Sequence, residues 1–481
     1  MNAESFPAPL YVETVLAPNF QEAQRHFLDA LIEIHYAHTR MLARQRILTE
    51  AEERTLRHAL DKLNRGEIAA AVYDGSHEDL FFYIERLLEQ ACGPLAGKMH
   101  TARSRNDIAI TLYRMTLREE LLELAGIVAE VRRAVLDLAE RHVETIMPAH
   151  THTQPAQPTT LAHYLLGVAE FLERDGARLR EAFARVNLSP MGACAITTTG
   201  FPIDRNFTAE LLGFDGLAEN SYGAIASIDY LTECAAAVAV AAVNTGKFVQ
   251  DLLLWSTREF AFLRLTDAYV QSSSIMPQKR NPVALEHSRI LASRALGEAQ
   301  AVLTCAHNTP FGDINDSEDD LQPLVFTMFE DASRALRLLA GLLRTAEVDR
   351  DRLRKRAGSD FMTVTELADT LVREANLSFR EAHALVAGAV SAAGTDDSAG
   401  AIARALLSQN PSLPLSREQI ERALDPDQFV KVRRIVGGPA PEQVTAAITR
   451  ARSEQKSSEQ WVEAQRRKLN EARRRNTAVV L

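Results

Sequence analysis

Residues 220–263 read NSYGAIASIDYLTECAAAVAVAAVNTGKFVQDLLLWSTREFAFL. The stretch has no proline and only Gly223 and Gly246 interrupt it, so it predicts one helix of roughly 60 Å at ~1.5 Å per residue. A helix of that length needs neighbours throughout, from the same chain or from other subunits. Its alanine-rich centre, residues 234–243, suits close helix contacts and is shorter than the ~20 residues that span a bilayer.

Helical periodicity extends over most of the chain. Apolar residues recur at spacings of three and four in 27–48, 108–146 and 160–186, and a further helix is expected after the suitable cap Thr49. Strand signals are few, and the Gly-, Pro- and Thr-containing stretch 188–205 is expected to be an irregular connector. The pattern favours an all-α fold.

The character of the sequence changes after about Val348. The helices shorten, Gly, Ser and Asp increase, and Ser416 is a plausible cap for a late helix. The charged tail 453–475 predicts an amphipathic helix at the surface. We divide the chain into an N-terminal helical domain (1–107), a central long-helix domain with a catalytic loop (108–349) and a small C-terminal helical domain (350–481).

Composition restricts the partners of the chain. It has 481 residues, a hydrophobic content of 46% and a net charge of −10, which opposes non-specific binding to nucleic acid or an anionic membrane. Its four cysteines are far apart and form no CxxC pair, as expected for reduced thiols. The N-terminus lacks the pattern of a signal peptide. We predict a cytoplasmic protein with neither nucleic acid nor a membrane as partner.

Four polar clusters interrupt the helical pattern. The first is GKMHTARSRND, residues 97–107, at the start of a long helix. Ser104, Arg105 and Asn106 offer a hydroxyl, a guanidinium fork and an amide near a positive helix end, which suits a carboxylate. The simpler interpretation is a helix cap followed by exposed arginines.

The second cluster is MPAHTHTQPAQPTTLAH, residues 147–163. His150 and His152 alternate, but no cysteine or carboxylate accompanies them, so a metal site is the least favoured interpretation. A general acid or base and a structural loop both remain open.

The third cluster is QSSSIMPQKRNP, residues 271–282. Met-Pro blocks a helix and Pro282 restarts one, which leaves a loop in which Ser273 and Ser274 lie beside backbone N–H groups. Glu286 follows on the next helix. The alternative is a flexible polar surface loop.

The fourth cluster is NTPFGDINDSEDDLQP, residues 308–323. Its carboxylates suit Mg²⁺ or Ca²⁺, a cationic ligand or a solvated helix start, and their spacing is not that of an EF-hand. They belong to Asp313, Asp316, Glu318, Asp319 and Asp320.

Together these stretches resemble the fumarase/aspartase superfamily and, within it, the argininosuccinate lyase family. SSSIMPQKRNP is similar to the superfamily loop GSSxMPxKxNP, with Ser272 in place of glycine, and HTARSRND is similar to HTGRSRND, with Ala102 in place of glycine. THTQPAQPTTLAH resembles THxQxAQPxxxxH. TTTGFPIDRNFTAELLGFDGLAENS and LSFREAHALVAGAV also resemble argininosuccinate lyase segments.

The resemblance implies a mostly helical three-domain protein. It further implies a homotetramer whose core contains about twenty helices, with active sites assembled from three subunits. The partners of the long helix at 220–263 would then be other copies of the chain.

The resemblance also assigns roles to residues. Ser273 matches the catalytic base, Lys279 the loop lysine, His152 the histidine of the TH pair and Glu286 the carboxylate that orients it. Positions that match the family's substrate-binding residues are Ser104, Arg105, Asn106, Thr151, Ser274, Gln278 and Asn281. No metal or cofactor is expected.

The implied reaction is an elimination from an N-substituted aspartate, a small-molecule substrate. A base removes a proton beside a carboxylate, and Lys279, Asn281 and loop N–H groups stabilise the resulting dianion. Histidine is suited to protonate the leaving nitrogen. Closure of the loop would exclude water.

Departures from the family concern the amine side. Leu31, Phe81 and Ile228 replace an aspartate, a histidine and an arginine. The stretch YNKDLQED, which binds the arginine part, aligns with DINDSEDD, so the amine-side candidates are Asp313, Asn315 and Glu318.

We therefore predict a carbon–nitrogen lyase that releases fumarate and an amine other than arginine. An aminopolycarboxylate of the ethylenediamine-disuccinate type and a cationic amine are both open. Argininosuccinate lyase proper is the first alternative. A catalytically silent, crystallin-like structural protein and a metabolite-sensing scaffold are alternatives of other classes.

Overall fold

The computed structural model describes residues 6–478 of the chain. Thr49 caps the fourth helix as predicted, because Glu52 N donates to Thr49 Oγ1 at 3.2 Å and Thr49 N donates to Glu52 Oε2 at 2.8 Å. The helix predicted over 27–48 ends at Arg44, and Arg46 then takes a left-handed backbone with φ 60°. The N-terminal helices are α1 Pro9–Tyr11, α2 Ala17–His26, α3 Leu28–Arg44, α4 Glu50–Asp61, α5 Arg65–Ala69 and α6 Leu80–Cys92, with a π turn at Val12–Leu16 and a 3₁₀ segment at Gly93–His100.

Long helices then form a central bundle. The first of them has 36 residues and is about 54 Å long. The helices of this region, with two short ones in the connections, are α7 Arg105–Glu140, α8 Leu161–Val186, α9 Arg205–Leu211, α10 Ser221–Ala226, α11 Asp229–Trp255, α12 Val283–Ala306 and α13 Gln322–Thr345.

The prediction of one continuous helix over 220–263 is wrong. Ser227 has an extended backbone with ψ 129°, which ends α10, and α11 then has 27 residues, about 40 Å. After Trp255 the chain turns back, and Phe262 N donates to Trp255 O at 3.0 Å. Polar residues stand at both breaks, Ser227 and Asp229 at the first and the STRE stretch 256–259 at the second, but a helix also accepts such residues on an exposed face.

Short strands connect the helices at the two ends of the bundle. The hairpin of the first two strands follows α7, so the helix predicted over 108–146 ends six residues early. The antiparallel pairs are β1 Ile146–Thr151 with β2 Gln154–Thr160, β5 Leu263–Arg264 with β8 Glu347–Val348, and β6 Gln271–Ser272 with β7 Arg280–Asn281; β3 Leu188–Ser189 and β4 Gly216–Leu217 are parallel.

Side-chain contacts fix the directions of the long helices. Arg114 Nη1, near the start of α7, donates to Arg185 O, near the end of α8, at 2.9 Å. Tyr164 OH, near the start of α8, donates to Asp251 Oδ2, near the end of α11, at 2.6 Å. We call the end with the start of α7 and the α12–α13 loop the lower end. The hairpin β1–β2 and the α11–α12 loop lie at the upper end.

The C-terminal part contains a second hydrophobic core. Leu367, Leu371, Ile402, Leu406 and Ile420 are buried in it. Ser416 caps its helix as predicted, accepting from Gln419 N at 3.2 Å. The helices are α14 Arg350–Ala357, α15 Val364–Ala375, α16 Phe379–Ala393, α17 Ala399–Gln409, α18 Arg417–Ala423, α19 Pro426–Lys431 and α20 Pro441–Thr477.

Helix α20 returns along the central bundle. Gln455 Nε2 donates to Ala129 O at 2.8 Å, and Val462 and Leu469 are buried. The tail is therefore amphipathic as predicted, but one stripe of it packs against α7 and α8 instead of facing solvent. The three-domain division stays a prediction.

Helix α11 carries two faces of different environment. Within residues 6–478 it is the one helix long and apolar enough to cross a membrane by length and composition, a test that core helices of bundles also pass. Its Cys234 and Val238 are fully buried in the chain, whereas Val240, Val243 and Leu254 are exposed. This apolar face of α11 thus has no partner among residues 6–478.

Candidate active site

The loop of residues 271–282 lies at the upper end and is closed by the β6–β7 pair. Ser273 Oγ accepts from Met276 N at 3.1 Å and from Ile275 N at 3.4 Å. Two backbone donors aimed at one hydroxyl oxygen favour its anionic form. The next residue after Lys279, Arg280, anchors the loop by donating to Leu265 O at 2.8 Å and pairing with Asp267.

The other predicted residues of this loop face outward. Ser274, Gln278 and Lys279 are exposed, and Asn281 is half-buried opposite Gln271. Glu286, in the first turn of α12, is also exposed. The loop therefore presents its polar groups away from its own chain.

His152 lies at the tip of the β1–β2 hairpin, beside Thr151. Both His152 and Thr153 have left-handed backbones, with φ 51° and 64°, and the imidazole is exposed. Nearby, His163 uses both ring nitrogens, within 2.8 Å of Thr159 Oγ1 and 2.9 Å of Gly437 O. The hairpin is thus fixed at its base and free at its tip.

The 101–106 turn lies at the lower end and leads into α7. Ser104 is the N-cap of α7, as the simpler interpretation of that motif expected, but the arginines beside it are not exposed: Arg103 is buried and Arg105 is half-buried. Its hydroxyl also donates to Asn106 Oδ1 at 2.9 Å, while Asn106 Nδ2 donates to Asp313. Ser104 therefore orients the Asn106 amide.

Arg105 is held by two carboxylates of its own chain. Its Nη1 lies 3.0 Å from Glu78 Oε1 and 2.9 Å from Asp79 Oδ2, and the guanidinium lies 4.9 Å from the centre of the Phe82 ring. Neither acid was predicted from the sequence to belong to the site. Both belong to the EDLFFYIE stretch, in which only the replacement at Phe81 was considered.

A cleft of about 260 Å³ lies beside this turn. Its inner wall is apolar and includes Phe27, Leu31 and Phe81, two of which replace polar residues usual in the family. The polar side chains that line it are those of Tyr11, Asn19, Glu78, Asp79, Arg105, Asn106, Tyr113, Asp313, Asn315, Glu318, Asp319 and Asp320. All three amine-side candidates therefore meet Arg105 and Asn106 in one cleft.

The carboxyl groups of the cleft crowd one another. Burial and the adjacent Asp313 carboxyl raise the pKa of Glu318 to about 8. Burial also raises the pKa of Asp319, whose Oδ1 accepts from Tyr113 OH at 2.8 Å. Arg105 is one positive charge among several carboxyls, so the cleft favours a cation.

The predicted residues fall into two groups that one chain does not bring together. Residues 104–106 form the cap and the first turn of α7, and Thr151 and His152 follow its other end, so about 54 Å of helix separates the two groups. The loop with Ser273 lies at the same end as His152, because α8 and α11 run antiparallel. In one chain the two groups therefore lie at opposite ends of the bundle.

Sequence reasoning also missed Asp107. Its carboxylate is fully buried and accepts from three backbone N–H groups. Burial raises its pKa to about 6, against the effect of those donors. The capping box at Ser104 was the available signal, because a carboxylate three residues after a capping serine is typical of it.

Ala102 has a strained backbone, with φ 59° where the family usually has glycine. We expect Ala102→Gly to raise the free energy of unfolding by about 1 kcal/mol. A residue with an L side chain costs ~1–2 kcal/mol in the left-handed region, and glycine avoids this cost. Glycine also loses more conformational entropy on folding, which offsets part of the gain. The thermal unfolding midpoint of the full chain measures it.

Ala446→Gly, in the exposed face of α20, is the matched control. It should lower the free energy of unfolding by about 1 kcal/mol, because it places glycine in a helix interior. A lower midpoint for both variants would show that Ala102 is unstrained.

Comparison with known proteins is consistent with this geometry. The model of the lyase family matches residues 19–297, and the model described as argininosuccinate lyase C-terminal matches 361–431. EDDS lyase in complex with formate has a TM-score of 0.86 and 34% identity, and a variant with bound fumarate has a TM-score of 0.85 and 34% identity. Each alignment covers 98% of this chain and 95% of the other.

The long-helix bundle with polar clusters at both ends thus defines a lyase of the fumarase/aspartase superfamily, and the predicted all-α fold is confirmed. Argininosuccinate lyase 2 of Agrobacterium fabrum is 41% identical over 98% of this chain and 95% of its own length. The chain belongs to the argininosuccinate lyase family. The predictions of that family and of a carbon–nitrogen lyase that releases fumarate are confirmed.

Proposed function

We propose that the chain catalyses the reversible β-elimination of fumarate from an N-substituted L-aspartate whose amine is not arginine. The cleft at the lower end carries this proposal, because it joins an apolar wall to a rim rich in carboxyls. Such a cleft suits an amine with a hydrocarbon stem and a terminal positive charge. It disfavours an amine that bears a carboxylate.

The catalytic groups come from the upper end. Ser273 removes the proton beside the carboxylate, assisted by the N–H groups of Ile275 and Met276. Lys279 stabilises the charge that develops on that carboxylate. His152, oriented by Glu286, protonates the leaving nitrogen. Ser104, Asn106, Thr151, Ser274, Gln278 and Asn281 bind the succinyl part.

Other copies of the chain complete the site. The exposed apolar residues of α11 and α12, among them Val240, Val243, Leu254, Ile290 and Leu303, suit helix packing between subunits. We propose a homotetramer that acts in the cytoplasm. The separation of the predicted site residues along α7 supports it, because one chain cannot assemble them.

A matched set of substrates tests the amine. N-aminobutyl-, N-butyl- and N-carboxypropyl-L-aspartate share the succinyl part and differ in the terminal group. We expect kcat/KM, from the ultraviolet absorbance of fumarate, to fall in that order, with about tenfold or more between ammonium and carboxylate. The reverse order would refute the cationic preference.

Argininosuccinate lyase proper is the second candidate, because the A. fabrum relative carries that name at 41% identity. Argininosuccinate and EDDS therefore belong in the same assay. A higher kcat/KM on argininosuccinate than on every other substrate would replace the first proposal. Absence of fumarate from all of them would favour a silent structural or sensing protein.

Glu318→Gln should change the pH dependence of KM. In the folded chain Glu318 is mostly protonated below about pH 8, so binding of a cationic amine must displace a proton there. KM for the aminobutyl substrate should therefore fall as pH rises from about 6.5 to 8.5 in the wild type. In the variant, which carries no charge at this position at any pH, this fall should be lost.

N-butyl-L-aspartate is the control for that experiment. Its stem has no charge, so its KM should not follow the ionisation of Glu318 in either protein. An unchanged pH profile for the aminobutyl substrate in the variant would show that Glu318 does not contact the amine.

A further inference from the structure

The connector of residues 188–205 lies against the turn that carries Ser104 and Asn106. Asp107 joins the two segments: Oδ1 accepts from Ser104 N at 2.8 Å, and Oδ2 accepts from Gly192 N at 2.9 Å and Cys194 N at 3.0 Å. The carboxylate is fully buried. A buried carboxylate with three backbone donors is strongly bound to both segments.

A second contact joins the same segments. Cys194 Sγ lies 3.2 Å from Ala102 O and donates to it. Both residues have left-handed backbones, with φ 53° at Cys194 and 59° at Ala102. The two strained residues are thus in direct contact. A strained backbone of this kind persists only where contacts with the surrounding structure hold it in that conformation.

The connector is itself rigid. Arg205 donates to the backbone oxygens of Met191, Ala218 and Glu219 at 3.0, 2.9 and 3.0 Å. Gly192 has φ 87°, and a Cβ there would lie 2.7 Å from Arg205 Cγ. Only glycine fits at that position, so the two N–H groups that Asp107 binds are presented by a fixed backbone.

We propose that Asp107 is a positioning residue that sets the places of Ser104 and Asn106 through the connector. The proposal rests on the proposed function of those two side chains in binding the succinyl part. Hydrogen bonds weaken steeply away from their preferred geometry, so a displaced Ser104 or Asn106 would bind the succinyl part less tightly. The connector therefore has a role in substrate binding without itself touching the substrate.

The competing explanation is that Asp107 only caps α7. Glu381 offers a matched comparison, because it forms the same capping box with Ser378 at the start of α16. Ser378 N donates to Glu381 Oε2 at 2.9 Å. Glu381 contacts no connector and no predicted site residue.

Asp107→Asn and Glu381→Gln in the full-length protein test the proposal. In Asp107→Asn the amide NH₂ replaces an acceptor oxygen and faces backbone N–H, so one contact is lost if it replaces Oδ1 and two if it replaces Oδ2. We expect KM to rise about 10- to 100-fold with kcat changed less than about threefold, because binding common to ground and transition states is removed. Hydrogen–deuterium exchange should become faster at 101–106 and 190–196. Glu381→Gln should change neither KM nor exchange in these segments.

Two results would overturn the proposal. Exchange at 101–106 and 190–196 that is as slow in Asp107→Asn as in the wild type would show that the two segments are not joined there. Faster exchange in these segments with an unchanged KM would show that Asp107 caps α7 and does not position the substrate-binding residues.

If Asp107→Asn does not fold, Cys194→Ala and Cys194→Ser replace it. Alanine removes the bond to Ala102 O, and serine keeps a donor. We expect KM to be severalfold higher in Cys194→Ala than in the wild type, and close to the wild-type value in Cys194→Ser. Equal KM values for both variants and the wild type would refute the proposal. If the wild type releases no fumarate from any substrate, the proposed function is refuted instead. The comparison of hydrogen–deuterium exchange between Asp107→Asn and the wild type would still show whether Asp107 joins the two segments.

Discussion

Ser273→Ala is expected to lower kcat for fumarate release by about 10²- to 10⁴-fold, the usual contribution of a positioned general base. The hydroxyl oxygen is the atom to which Met276 N and Ile275 N donate, and alanine removes it without removing those donors. KM should change much less, because the groups proposed to bind the succinyl part remain. Ultraviolet absorbance of fumarate measures the rate.

Ser272→Ala is the control for this prediction. Ser272 is exposed and lies directly before Ser273, in the strand pair that closes the loop. It loses the same atom on substitution, but its position is usually glycine in the family. It should retain nearly full activity. If both serine variants lost activity equally, the cause would be the conformation of the loop, and the role of Ser273 as base would be wrong.

Helix caps and the presence of helices were predictable from the sequence, whereas the residues at which the long helices end were less so. The caps at Thr49 and Ser416 and the helix over 160–186 follow from short-range hydrogen bonding and periodicity, and the structure contains them. The break at Ser227 and the turn after Trp255 coincide with short polar stretches, Ser227 to Asp229 and Ser256 to Glu259, in an otherwise apolar run. Polar residues of this kind also occur on exposed helix faces, so they do not by themselves predict a break.

The site divides in the same way. Each polar cluster was visible as a run of residues that helix packing does not require. Which clusters meet depends on the directions of the long helices, and the sequence alone left these open. The ion pairs of Arg105 with Glu78 and Asp79, and the link from Asp107 to Gly192 and Cys194, are contacts between segments distant in sequence.

Mixing two impaired variants, each with a low kcat/KM, should restore activity measured as kcat/KM. Ser273 lies at the upper end and Asn106 at the lower end of the bundle, separated along helices about 40 to 54 Å long. If each site takes these residues from different subunits, Ser273→Ala and Asn106→Ala damage different chains of the same site. In randomly mixed tetramers about a quarter of the sites would then receive both intact residues.

The experiment requires the two variants to be unfolded, mixed and refolded together, with each refolded alone as control. Light scattering should give a mass about four times the chain mass of 53.2 kDa for every sample. Activity near a quarter of the wild type in the mixture alone is the expected result. A tetrameric mixture whose activity stays as low as that of its two components would mean that Ser273 and Asn106 serve the site from one subunit. The length of α7 and the direction of α11 do not allow this. The assignment of one of the two residues to the site would then have to be abandoned.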